Sequence, residues 1–413
     1  MVAFFCGVDW SESGHDVAVV DTAGTVVARA RIEESPAGVK ELLRLLAGLK
    51  TSHRHSRKQV PVSIETSRGL LVAALRAAGQ PVVAINPTVV ARYRGRLNPT
   101  RKKADVTDAV LLANILRTDA HLHRRLWTPS PQGAAITVLA RAHTDAGRRR
   151  HQLRFKLRSA LREYYPAALE AWKGLPDDLM RGEARTVLAL APTPRRAARL
   201  TVRQLADALA EGGRTRLIYD HAERLHGLFR QPQLRQIDVV EEAMGAAMLA
   251  RLALLNQACH TLDDLTLQVT EAFDAHPQAR IYRSFPGCGP IVGARLLAEI
   301  GDDPNRFASA RGLLAYAGVA PLTWASGASS VVTHRRIANR ALKGTGHVWA
   351  FAALTRSVGA RAHYDRRREA GDRYAAALRH LSGRLLRCLH HCLSTGELYR
   401  EERAFPRGLS VDE

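Results

Sequence analysis

Residues 3–32 read AFFCGVDWSESGHDVAVVDTAGTVVARARI. Three runs rich in β-branched and aromatic residues, AFFCGVDW, HDVAVVD and GTVVARARI, are separated by turn residues such as Glu12-Ser13-Gly14 and Ala23-Gly24, which spells a three-stranded meander. Outward from there, a helical segment is expected from Pro36 to Leu49. It is followed by a basic loop SHRHSRK, a strand VPVSIET, a helix from Gly69 to Ala78 and a strand PVVAIN. Strands that alternate with helices after an opening meander indicate a mixed α/β sheet.

The chain has 413 residues, enough for two or three domains with their own cores. Lys and Arg number 61 against 39 Asp and Glu, a formal net charge of +22, so the favoured partner is a polyanion: nucleic acid or an anionic membrane surface. No apolar run approaches the roughly 20 residues that span a bilayer, and the start MVAFFCGVDWSESGHD turns acidic too soon for a signal peptide. A cytoplasmic protein is expected. Five scattered cysteines argue against a disulfide framework. CLHHC, Cys388 to Cys392, places two cysteines one helical turn apart, but structural zinc needs four ligands and no second pair stands at a suitable spacing.

The middle of the chain reads as helices. In Arg141 to Pro166, Leu153, Leu157 and Leu161 recur at fourfold spacing among arginines, so Arg148, Arg149 and Arg150 suit phosphate contacts, including those of RNA. From Ile237 to Phe273 there is no proline and apolar residues recur at threes and fours, giving a long amphipathic helix that belongs either to a coiled coil, with a dimer contact, or to a bundle.

Four carboxylates fall on or beside the expected sheet. Asp9 ends the first strand, Glu65 ends the fourth, and Asp105 and Asp108 lie three apart on a later helix, where they share a face. Strand ends are where α/β sheets place their sites. Like charges crowded there repel unless a cation lies between them, and one or two hard divalent ions would serve. The competing reading has Asp9 capping a turn, Glu65 facing solvent, and Asp105 and Asp108 paired with Lys102 and neighbouring arginines.

Asp9 in GVDWSESGHDVAVVD, Glu65 in IETSRG and the pair in KKADVTDAVLLA resemble the DEDD signature of the insertion sequence 110 family of transposases. FPGCGPIVGARLLAEIGD, RGLLAYAGVAPLTWASGASS, WAFAAL and GARAHYDRRREAGD resemble that family's C-terminal transposase domain. The resemblance implies three regions: a ribonuclease H or RuvC-like DEDD domain over 1–130, a helical linker with a coiled coil over 131–275, and a mainly α C-terminal transposase domain over 276–413.

It further implies a recombinase that holds Mg²⁺ on Asp9, Glu65, Asp105 and Asp108 and attacks the scissile phosphate with a serine in a Ser-Gly motif after a proline. Here that proline is Pro321 and the serine Ser326, with Ser329 and Ser330 as neighbouring candidates. Family members choose donor and target DNA with a structured bridge RNA and act as tetramers, dimers of dimers, whose composite sites draw on different protomers; such a protein is nucleoid-associated. Glycines 287 and 289 in FPGCGP resemble a helix-hairpin-helix loop that grips a nucleic-acid backbone, against an ordinary helix–helix turn. His334, Arg335, Arg336 and Arg340 offer phosphate contacts, as do Arg101, Lys102 and Lys103, against a solvated basic face. A RuvC-like nuclease using water and a non-catalytic RNA- or DNA-binding protein are the alternatives.

Overall fold

The computed structural model describes residues 4–51, 60–97, 105–123, 125–326, 329–335 and 337–406. For residues 50, 51, 96, 97, 105–107, 323–326 and 329–334 the description is of the backbone. Two compact units result, Met1–Thr128 and Pro129–Glu413.

The first unit is built on a five-stranded mixed sheet of order β3-β2-β1-β4-β5. The meander is present as β1 (Phe4–Asp9), β2 (His15–Asp21) and β3 (Val26–Ile32), joined by antiparallel pairing. After α1 (Pro36–Thr51), β4 (Val62–Ile64) adds parallel to β1; α2 (Leu70–Ala77) then leads to β5 (Val82–Ala84), parallel to β4. Both parallel strands are shorter than the sequence suggests. Pro61 and Pro81 precede them and have no N–H, so each supplies only its carbonyl, to Cys6 N (3.0 Å) and Val62 N (2.8 Å).

Both faces of this sheet are covered, which is why β1 is apolar throughout its middle. Cys6 and Val8 pack with Leu42 and Leu46 of α1 and Leu71 and Leu75 of α2. Phe5 packs on the other face with α3 (Pro87–Leu97) and α4 (Asp105–Asp119) through Val90, Leu112 and Ile115. Gly7 faces α4 so closely that a Cβ there would collide with the carbonyl oxygen of Ala109 and the backbone nitrogen of Ala113. The other end of α4 is fixed by Arg117, whose Nη1 donates to Thr22 O (3.2 Å) in the β2–β3 turn. That turn lies at the start of β1, since Phe4 pairs with Asp21. Helix α4 therefore runs antiparallel to β1, and its first residue, Asp105, stands at the end of β1 that carries Asp9.

The second unit is helical apart from one hairpin. Helix α5 (Pro131–Tyr164) starts at Ser130, whose side chain accepts from Gly133 N. A group of shorter helices follows: α6 (Pro166–Glu170), α7 (Gly182–Leu190), α8 (Pro194–Ala197), α9 (Val202–Glu211) and α10 (Ile218–Phe229). The long proline-free segment forms α11 (Asp238–Asp274). It lies antiparallel to α5, with His143 bonded to Thr266 at 3.1 Å and Leu157 and Leu161 sharing a core with Met248, Leu252, Leu255 and Cys259. The apolar face of α11 is thus met by a helix of the same chain.

A further core gathers around Phe285 and Trp349, built from α12 (Ala279–Arg283), α13 (Pro290–Ile300), α14 (Ala310–Tyr316), α15 (Arg340–Ala353), α16 (Val358–Glu369), α17 (Tyr374–Thr395) and α18 (Glu401–Ala404). The hairpin of β6 (Pro321–Ser326) and β7 (Ser329–His334) connects α14 to α15. Cys388 and Cys392 lie on α17 against this core.

Candidate active site

Sheet register brings two of the carboxylates together. Val8 pairs with Ile64 in the parallel β1–β4 ladder, so Asp9 and Glu65 are the next residues along two adjacent strands, about 4.8 Å apart in backbone spacing. Asp9, still in β1, alternates to the α4 face because Val8 belongs to the opposite core, while Glu65 follows β4 at a bend; both are half-buried. On α4, Asp108 is 3% exposed. Arg94 of α3 donates to its Oδ1 from Nε (3.1 Å) and Nη2 (2.8 Å). The backbone of Asp105 is one turn before Ala109, the residue that touches Gly7, and so lies on the strand-facing side near Asp9.

An all-carboxylate donor set at one end of a sheet suits a hard, oxygen-seeking divalent ion. Arg94 already balances the buried charge of Asp108 through Oδ1, so an ion would take Oδ2 or displace the guanidinium. Among the described residues no three His, Cys, Asp or Glu side chains form a group that could hold a metal, and the side chain of Asp105 is outside that set. Arg94 is the functional candidate that the sequence does not reveal: the basic run beside Asp105 is Arg101, Lys102 and Lys103, all outside the described residues.

Ser326 is the last residue of β6 and pairs with Ser329 across the tip of the hairpin, while Ser330 pairs with Ala325 one step down. The two residues between, Gly327 and Ala328, lie outside the described residues, as does Arg336. Arg335 follows the hairpin half-buried, and Arg340 is exposed as the first residue of α15. In FPGCGP, Gly287 has φ +70° and approaches the backbone of Ala352 and Ala353 in α15, where a Cβ would stand 2.7 Å away. Its missing side chain serves helix packing. Gly289 caps α13 and has open space around it.

The three arginines of α5 divide. Arg148 is exposed and bonded to Asp145 (2.8 Å), and Arg149 is exposed. Arg150 turns inward toward the thiol of Cys259, and its Nε is buried without a hydrogen-bond partner.

Comparison with known proteins gives the same direction at both ends of the chain. A family model for DEDD transposases of the IS110 type, described as "Transposase", matches residues 6–166, and one described as "Transposase IS116/IS110/IS902 family" matches residues 279–365. The chain is 52% identical to the "Mini-circle putative transposase for IS117" of Streptomyces coelicolor, over 97% of this chain and 96% of that one. It is 28% identical to the "Insertion element IS900 uncharacterized 42 kDa protein" of Mycobacterium paratuberculosis, over 96% of each chain. Identity to the "Insertion element IS110 uncharacterized 43.6 kDa protein" of Streptomyces coelicolor is 26%, over 99% of this chain and 98% of the relative. The chain belongs to the IS110 family of transposases, proteins of insertion sequences that cut and rejoin DNA.

Proposed function

We propose that this transposase breaks and rejoins DNA by serine transesterification at a Mg²⁺-dependent carboxylate site, with a structured non-coding RNA selecting donor and target DNA. The observation that carries the reading is that Asp9 follows Val8 and Glu65 follows Ile64, two residues paired on adjacent parallel strands, and that α4 begins at the same end of the sheet, in a chain of net charge +22. Asp9, Glu65, Asp105 and Asp108 would hold the ion. Bound there, Mg²⁺ would polarise the scissile phosphate and neutralise the charge that develops on it.

Ser326, at the hairpin tip, is the proposed nucleophile. Its Oγ forms a bond to phosphorus as the bond to a leaving deoxyribose oxygen breaks, and the phosphoserine keeps the energy of that bond for rejoining. Its proton passes to solvent or to the leaving oxygen. Phosphates of the polyanion are assigned to Arg101, Lys102, Lys103, Arg148, Arg149, Arg335, Arg336 and Arg340, with the loop of Gly287 and Gly289 as a backbone grip. A homo-oligomer, a dimer of dimers acting on the nucleoid in the cytoplasm, completes the proposal.

The test is a denaturing quench of protein, RNA transcribed from the flanks of its own element, and DNA spanning that element's ends. Protein covalently joined to DNA, mapped by mass spectrometry to Ser326 and absent in Ser326→Ala, supports the reading. An adduct at Ser329 or Ser330 moves the assignment along the hairpin. Cleaved ends with no adduct under any quench replace it with hydrolysis by water.

A further inference from the structure

The two ends of the β6–β7 hairpin are tied together by one side chain. Asn339 caps α15, its Oδ1 accepting from Leu342 N at 2.8 Å. Its Nδ2 donates to Glu299 Oε2 (2.6 Å) and to Tyr316 Oη (2.7 Å), and its backbone N donates to Tyr316 O (2.8 Å). Tyr316 ends the helix before the hairpin, and Asn339 stands just before the helix that follows it. Between them, Gly318 (φ +70°) meets Ala338 so closely that a Cβ on the glycine would collide with that of the alanine.

The anchor runs on into the body of the unit. Glu299, 7% exposed on α13, accepts at Oε1 from Arg141 Nε of α5 (3.2 Å). Arg306 donates to Tyr316 Oη (3.3 Å) and to the carbonyls of Glu299 (2.8 Å) and Ile300 (2.7 Å). Helix capping alone requires only Oδ1 of Asn339. The second pair of bonds, from Nδ2 into a buried carboxylate and a half-buried phenol, fixes the pivot of the hairpin against α13.

We infer that Asn339, held by Glu299 and Tyr316, is a positioning residue for the reaction at the hairpin tip; this rests on the reading of Ser326 as nucleophile. The lever is long. Five residue steps of about 3.3 Å place the tip about 17 Å from Pro321, so a tilt of about 5° at the base moves the tip by about 1.5 Å. A displacement of about 1 Å from attack geometry costs on the order of a hundredfold in rate.

The experiment separates capping from positioning. Asn339→Ser keeps a cap of the helix and removes both amide bonds. Asn339→Asp also caps but sets a carboxylate against Glu299, and the double variant Asn339→Asp, Glu299→Gln restores a donor–acceptor pair with reversed polarity. Tyr316→Phe is a milder second probe. Adduct formation is timed at saturating DNA, using DNA spanning the element's ends, well below each variant's melting midpoint, and DNA affinity is measured alongside. Expected are at least a tenfold fall in the rate for N339S and N339D, affinity within threefold of wild type, and recovery of most of the rate in the double variant. Rates within twofold of wild type for every variant overturn the inference, as does a fall in affinity that matches the fall in rate. A wild-type protein that cleaves without forming an adduct instead brings down the serine reading on which it rests.

Discussion

Arg94 holds Asp108 through a single carboxylate oxygen, Oδ1, with contacts of 3.1 and 2.8 Å from Nε and Nη2. The arginine side chain is 22% exposed and the aspartate 4%, so the carboxylate is the buried partner. Removing one member of such a pair strands the other. Arg94→Ala is therefore expected to destabilise the first unit by about 2–3 kcal/mol without added metal, less than for a fully buried pair. Mg²⁺ at a hundredfold excess over its dissociation constant would contribute about 2.7 kcal/mol, enough to offset most of that loss. Thermal melts of both proteins with and without Mg²⁺ check this; an equal Mg²⁺ response would mean that Arg94 and the ion do not share Asp108.

The carboxylates divide affinity from chemistry. Alanine at any one of Asp9, Glu65, Asp105 or Asp108 is expected to abolish strand cleavage and leave DNA binding within a few fold, because affinity comes from basic residues. Gel-resolved cleavage and filter binding on the same preparation test it. Recombination at wild-type rate by D105A would remove the metal site as assigned.

Arg148 and Arg149 point outward on α5 while Arg150 points in. Each phosphate contact contributes about 0.9 to the slope of log K against log salt for a duplex and about 0.7 for a single strand. Alanine at both Arg148 and Arg149 is expected to lower that slope by about 1.4–1.8. Arg150→Ala should leave the slope unchanged and lower the melting midpoint. An unchanged slope in the double variant would leave the outer arginines as a solvated face.

What the sequence makes legible follows from what each feature depends on. The meander needs only local alternation and turn residues, so its strands are found where expected. The parallel strands β4 and β5 need partners distant in sequence, and Pro61 and Pro81 shorten them for a reason visible only once the ladder is known. Gly7, a glycine inside a strand, was a readable sign of close backbone approach. The bond of Arg94 to Asp108 depends on how α3 meets α4, and the inward turn of Arg150 on the packing of α5 against α11, neither of which spacing encodes. The close approach of Gly287 to α15 likewise depends on helix packing that the spacing of FPGCGP does not encode.

His363 gives a pH dependence. Burial, with the nearby Arg366 and Arg384, lowers its pKa to about 4, and its Nε2 is buried without a hydrogen-bond partner. The folded state thus favours the neutral ring, while the unfolded chain takes up a proton below about pH 6.5. Stability from this group is complete above pH 6.5 and falls as the pH drops toward 4. One proton bound only on unfolding costs at most about 1.4 kcal/mol per pH unit, and partial solvent access leaves a fraction of that. Melting midpoints between pH 7 and 5 should decline less steeply in His363→Phe than in wild type; parallel curves would show that His363 is not the group responsible.

Gly7 tests whether helix placement makes the site. In Gly7→Ala the new Cβ meets backbone on α4, not a flexible side-chain end, so the helix has to move away from β1. Overpacking of this kind costs about 3 kcal/mol. Gly48→Ala, in α1 of the same unit, meets nothing within 4 Å and should be neutral or stabilising by up to about 1 kcal/mol. The cleavage assay then separates two consequences at a temperature where both variants remain folded. If the position of α4 sets the site, G7A loses cleavage even when folded, because Asp108 and the backbone of Asp105 withdraw with the helix from the end of β1 where Asp9 stands. If folded G7A cleaves like G48A, the acids of α4 do not act together with Asp9.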